Sequence, residues 1–103
     1  MNINNSNKKT LENMNQVIKF SAEWCGPCRA MKPQFEKFQE SVKDTGVEVI
    51  DADVDKEHEL AEKYGVRSIP YTVFVKDGKI EESFRGVQTA DVLTKTFNEV
   101  FSN

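Results

Sequence analysis

Cys25 and Cys28 are the only thiols of this chain, and two residues, Gly26 and Pro27, separate them. A pair this close can form a small disulfide ring, supply half of a zinc site, or simply fill core space as two small apolar side chains. Tetrahedral zinc takes four ligands, and the chain adds only His58 to the pair, so a metal would have to be shared between two chains. A purely structural role fits the position poorly. The run before the pair, "QVIKFSA", reads as a mostly buried strand and the run after it as a helix, which puts Cys25 at a strand end and a helix start. Free amide N–H groups and the helix dipole favour a thiolate there, and thiolates are the nucleophiles of disulfide exchange. Cys28, one turn into the helix, faces Cys25 closely enough to bond to it and is expected to be the less exposed of the two. Gly26 is expected to allow a tight approach, and Pro27 suits a first helical turn, where a missing N–H breaks no bond. Together these residues suit a two-step exchange. Cys25 attacks a substrate disulfide, then Cys28 attacks the mixed disulfide and frees the reduced substrate.

A second pattern is a decoy. Asp51, Asp53, Asp55 and Glu62 occupy positions 1, 3, 5 and 12 of a calcium-loop pattern, but Lys56 stands at position 6, where the sharp turn needs glycine. The same residues read equally as a strand followed by a helix.

Composition limits what the pair can serve. With 103 residues, 38% of them hydrophobic, there is material for one domain with one modest core. A formal net charge of −3 gives no cationic surface for nucleic acid or anionic lipid. No apolar run approaches the roughly 20 residues of a bilayer span. The N-terminal "MNINNSNKKT" lacks the apolar stretch of a secretory signal. The expected compartment is the cytoplasm, where a close cysteine pair is a redox or metal site more often than a structural staple.

The elements that must position the pair alternate along the chain. A short helix is expected over 10–16 and a strand over 16–22. Met31, Phe35, Phe38 and Val42 recur at spacings of four, three and four, which predicts one helix from Pro27 to about Asp44, kinked at Pro33. "VEVIDADV" (47–54) alternates as a strand, "KEHELAEKYG" (56–65) makes a short helix closed by Gly65, and "YTVFV" (71–75) is a strand. Asp77-Gly78 between two strand-like runs signals a hairpin, and "TADVLTKTFNEVF" (89–101) is an amphipathic helix that Thr89 can cap. Strand–helix–strand units followed by a hairpin imply an α/β fold with helices on both faces of a mixed sheet.

Ala22-Glu23-Trp24-Cys25-Gly26-Pro27-Cys28, then Pro33, Gly65-Val66-Arg67-Ser68-Ile69-Pro70, Lys76-Asp77-Gly78 and Gly86 together resemble the thioredoxin family over nearly the whole chain. The resemblance implies a single thioredoxin domain over 1–103, with a mixed sheet of four or five strands whose first strand is shortened or missing, because only 23 residues precede Trp24. It implies protein disulfide reduction by a Cys25-Cys28 dithiol, with no bound cofactor, electrons from thioredoxin reductase, and disulfide-containing proteins as substrates of a monomer. It casts Cys25 as the attacking and Cys28 as the resolving cysteine. Trp24 corresponds to the tryptophan that flanks the site and meets partners, Pro70 to a cis-proline beside the disulfide, and Gly86 to a glycine that keeps the nearby surface flat. The Ile69 backbone is placed to pair with an extended substrate segment. A thiol oxidase or isomerase of the same fold and a redox-independent partner-binding subunit are the competing roles.

Three positions depart from the family pattern. The first is the short N-terminal segment, and the second is Ser21, where many members have an aromatic. The third is a charge pair with its ends exchanged: Lys19 replaces a buried aspartate, and Asp51 stands where the neighbouring strand usually has a lysine. Lys19 and Asp51 are therefore expected to meet beneath Cys28 and to support the step in which it loses its proton. The alternative is that Lys19 carries its charge to the surface along its aliphatic stem.

Overall fold

Alternation along the first strand divides the core in two. The computed structural model describes residues 14–102. Within them, β1 (Gln16–Ser21) sends Val17 to one face of the sheet and Ile18 and Phe20 to the other. The remaining elements are α1 (Gly26–Ser41), β2 (Glu48–Asp53), α2 (His58–Lys63), β3 (Tyr71–Lys76), β4 (Lys79–Arg85) and α3 (Ala90–Phe101). The strand order is β2-β1-β3-β4, with β1 parallel to β2 and antiparallel to β3, and β3 antiparallel to β4. This is the expected mixed sheet, with four strands among the described residues. Of the helix expected over 10–16, residues 10–13 lie outside the described residues, while Met14 and Asn15 form a turn and a bend and Gln16 opens β1, so the expected helix does not reach the strand. A strand before residue 14 would also lie outside the described residues.

Helices cover both faces. α1 and α3 share one apolar cluster in which Met31, Phe35 and Phe38 meet Val17, Phe74, Leu93 and Phe97. On the opposite face, Leu60 and Ala61 of α2 and Tyr64, which caps its C-terminus, pack against Ile18, Phe20, Ala52 and Val73. Because β1 and β3 are buried over nearly their whole length, they read as continuous apolar runs broken only by Lys19 and Thr72, which are cross-strand neighbours.

Local chemistry explains where elements stop. α1 runs through Pro33 and ends at Ser41, three residues short of the expected limit. The Thr45 hydroxyl and N–H both donate to the Val42 carbonyl and turn the chain, and Gly46 follows at φ 87°. At the hairpin, Asp77 and Gly78 have φ of 53° and 82°, the left-handed pair that an Asp-Gly loop supplies most readily. Thr89 caps α3 by accepting the Val92 N–H at 3.2 Å.

Phe38 is fully buried, and its ring lies about 6 Å from those of Phe35, Phe74 and Phe97. It joins α1, β3 and α3. Phe38→Ala is expected to cost about 3–5 kcal/mol of unfolding free energy, read from urea denaturation, because the three surrounding rings cannot all close over the cavity.

Candidate active site

The end of β1 and the start of α1 are separated by four residues, Ala22 to Cys25. Cys25 is itself the N-cap of α1, in extended backbone, and its sulfur accepts the Cys28 N–H at 3.2 Å. A sulfur atom thus fills the place usually taken by a serine or aspartate oxygen. Cys25 and Cys28 are joined in a disulfide, with their Cα atoms 5.2 Å apart, so the pair is seen in its oxidised state. Pro27 lies in the first turn of α1, where no intrahelical partner waits for an N–H. Arg29 extends the junction by donating to the Glu23 carbonyl at 2.7 Å.

Cys28 is the less exposed of the two, as expected, but only by 3% against 6%, so burial hardly distinguishes them; both pack with Ala22 against Val54 and Ile69. What separates them is position on the helix, one at the cap and one inside the first turn. Gly26 is exposed and does not have the left-handed φ that would require glycine, and a Cβ built on it meets nothing within 4 Å. No tight approach among the described residues demands a glycine there.

The loop before β3 comes up beside the disulfide. The Ile69-Pro70 peptide is cis, and the Ile69 carbonyl oxygen is 4.0 Å from Cys25 Sγ. Pro70 in turn accepts the Gly86 N–H at 2.8 Å, which draws Gly86 to the same rim. Gly86 has φ 94°, and a Cβ there would meet open space, so its requirement is conformational and the surface over it stays low. Arg85 braces the loop, with its guanidinium 4.7 Å from the Tyr71 ring centre and a 3.4 Å bond to the Ser68 hydroxyl. Trp24 is 68% exposed, and its indole N–H donates to Asp55 at 2.8 Å. Between Trp24 and the loop lies a groove of about 190 Å³ walled by Val54, Val66, Arg67 and Ile69.

Asp55 as the partner of Trp24 was not legible in the sequence, where its only signal was the false calcium pattern. That pattern dissolves in the fold: Asp51 and Asp53 lie on β2 and Glu62 on α2, and among the described residues no three His, Cys, Asp or Glu side chains converge as a metal site.

With this geometry in view, comparison with known proteins is decisive. The family model for Thioredoxin matches residues 2–99. The chain belongs to the thioredoxin family. It is 36% identical to the thioredoxin of Bacillus subtilis (strain 168) over 80 residues, covering 78% of this chain and 76% of the relative. It is 42% identical to the thioredoxin of Mycoplasmoides gallisepticum over 71 residues, 68% of each chain. The structure of Fasciola hepatica thioredoxin superimposes with a TM-score of 0.75 at 32% identity, covering 95% of this chain and 92% of that one. Family membership and the disulfide-capable Cys25-Cys28 pair make the protein a thiol-disulfide oxidoreductase.

Beneath the disulfide, the exchanged charge pair is formed. Lys19 on β1 and Asp51 on β2 are register partners, and Lys19 Nζ lies 3.2 Å from Asp51 Oδ2. The lysine does not carry its charge to the surface: it is 1% exposed, with its ammonium 5.0 Å from the centre of the Phe35 ring. Asp51 is 40% exposed at its side chain and also accepts the Ser21 hydroxyl at 3.2 Å. Ser21 thus contributes a polar contact to the pair. Lys19, Asp51, Ser21 and Cys28 line one open cleft of about 450 Å³.

The two ends of the pair differ in environment, so their removal should differ in consequence. Asp51→Ala strands a buried ammonium and is expected to cost about 1–3 kcal/mol, less than a fully buried pair because water already reaches the carboxylate. Lys19→Met leaves a carboxylate that can hydrate and fills nearly the same volume, so its loss should be smaller. Urea denaturation of both variants at neutral pH checks the order.

Proposed function

We propose that Cys25 is the attacking thiol and Cys28 the resolving thiol of a protein disulfide reductase. The observation that carries this reading is the capping bond: the Cys25 sulfur sits on the free N–H groups of α1, where negative charge is stabilised. In the forward reaction, Cys25 Sγ⁻ attacks one sulfur of a substrate disulfide and the other leaves as a thiolate. Cys28 Sγ–H then loses its proton and attacks Cys25 Sγ. The intermolecular S–S bond breaks, the second substrate sulfur leaves and takes up a proton, and Cys25-Cys28 becomes the disulfide. Asp51, at the mouth of the cleft that Cys28 lines, is the acceptor for that proton through water, and Lys19 supports the step from below.

Substrate docks across the rim. The groove beside Trp24 takes an apolar side chain, the Ile69 backbone pairs with an extended segment in the manner of strand addition, and Gly86 leaves the surface flat enough for a protein to approach. Pro27, in the first turn of α1, helps to fix the geometry of the two sulfurs, and Gly26 supports the site by leaving the surface between them open. We assign 1–103 to a single cytoplasmic domain acting as a monomer, with no bound cofactor, re-reduced by thioredoxin reductase and acting on disulfide-containing proteins. Nucleic acid and membrane are not its partners on this reading.

Trapping tests the roles. Cys28→Ser is expected to accumulate mixed disulfides through Cys25 when challenged with native, disulfide-bonded insulin, and Cys25→Ser is expected to form almost none. Efficient trapping through Cys28 in the Cys25→Ser protein would reverse the assignment.

A further inference from the structure

Lys19 is the one charged residue that is buried among the described residues, and it lies in the strand that leads directly to the active site. Its ammonium shares a cleft with Cys28, whose own exposure is 3%. The other charged groups lining that cleft are Arg29 and Lys32 from α1, Glu23 from the loop, and Asp51 and Asp53 from β2. Most of these are well exposed and water screens them; the Lys19 ammonium is not screened in this way. Its carboxylate partner is 40% exposed at the side chain, where water screens its charge, so it offsets the ammonium incompletely at Cys28.

We infer that the buried Lys19 ammonium sets the reduction potential of the Cys25-Cys28 couple, making it more oxidising by stabilising the Cys28 thiolate. The redox step is complete with a dithiol donor: the donor loses two electrons and closes its own disulfide, the Cys25–Cys28 bond breaks, and both thiols of the chain are released. At alkaline pH both are ionised, their protons going to solvent. A positive charge beside Cys28 favours this reduced, ionised state over the neutral disulfide. Lys19 touches neither substrate nor reacting sulfur in this account; it is a positioning residue acting through Cys28.

The sign gives a distinctive pH dependence. Where both forms of the protein keep Cys28 protonated, removing Lys19 changes the thiolate term little. As pH rises through the ionisation of Cys28 in the parent, the parent gains reduced-state stability first, and the two potentials separate. A merely structural lysine would give no such opening.

The inference rests on the disulfide reductase reading, but the potential of the couple does not depend on which cysteine attacks, so the two can fail separately. The experiment equilibrates parent, Lys19→Met and Lys19→Arg proteins with glutathione redox buffers between about pH 6 and 9 and quantifies the disulfide fraction. Lys19→Met is expected to favour the disulfide by about tenfold at the alkaline end, a shift of about 30 mV to more reducing potential, and to converge on the parent toward the acid end. Lys19→Arg, which keeps the charge, is expected to follow the parent. Superimposable curves for a folded Lys19→Met protein would overturn the inference, as would a shift that is equal at every pH. Should Lys19→Met fail to fold, the sole thiol of the Cys25→Ser protein decides the matter by its thiolate absorbance. Ionisation near the ordinary cysteine value of about 8.5 despite burial supports the ammonium's role, and ionisation only above about 10 contradicts it.

Discussion

The Cys25 sulfur is at once a redox atom and the cap of a helix. Its bond from the Cys28 N–H ties the chemistry to the start of α1, so the active site cannot move without moving that helix. The helix is in turn fixed by Met31, Phe35 and Phe38 against the sheet and α3. β1, with a neighbouring strand on each side, supplies the other end of the junction. Rigid elements thus hold the two sulfurs, while the loop bearing Ile69 and Pro70 comes up beside them. The N–H of Gly86 on the Pro70 carbonyl carries the rim on toward α3.

The same junction explains why a lysine can lie in the core. Lys19 is placed on the α1 face by strand alternation, and it points into the space below the first turns of α1. Burying an ammonium is costly by several kcal/mol unless it is paired. Three features of the site reduce that cost: the Asp51 carboxylate on the adjacent strand, the face of Phe35, and an open cleft that lets water approach the far side of the pair. The neighbouring Thr72 hydroxyl, fully buried and without a hydrogen-bond partner among the described residues, shows that polar groups at the centre of this sheet are not uniformly satisfied. A protein built only for stability would place apolar groups at both positions. A charge held beneath a redox-active pair has a chemical use that an apolar residue lacks.

Much of this was legible in the sequence because the relevant rules are local. Apolar spacing from Met31 to Val42 marked α1, Asp77-Gly78 marked the hairpin, and Thr89 marked the last cap. The meeting of Lys19 and Asp51 followed from two strands being neighbours and in register, and the fold provides both. The less legible features depend on three-dimensional detail. The end of α1 is set by the hydroxyl of Thr45, which no helix periodicity reveals. The bond between Trp24 and Asp55 spans a loop and the turn after β2, with no spacing rule to announce it. The near-equal burial of Cys25 and Cys28 arises because Val54 and Ile69, from two separate loops, close over both. Gly26 shows the opposite limit: a motif residue whose described neighbours do not require it.

The central claim is that the helix start, rather than exposure, makes Cys25 the reactive thiol. The most direct test is the pH dependence of iodoacetamide alkylation of the fully reduced protein, with the modified cysteine located by peptide mass analysis. The account predicts that Cys25 is alkylated first and that its rate is half-maximal well below about 8.5, the value for an ordinary cysteine. Preferential alkylation of Cys28, or a Cys25 profile that follows free cysteine, would contradict it.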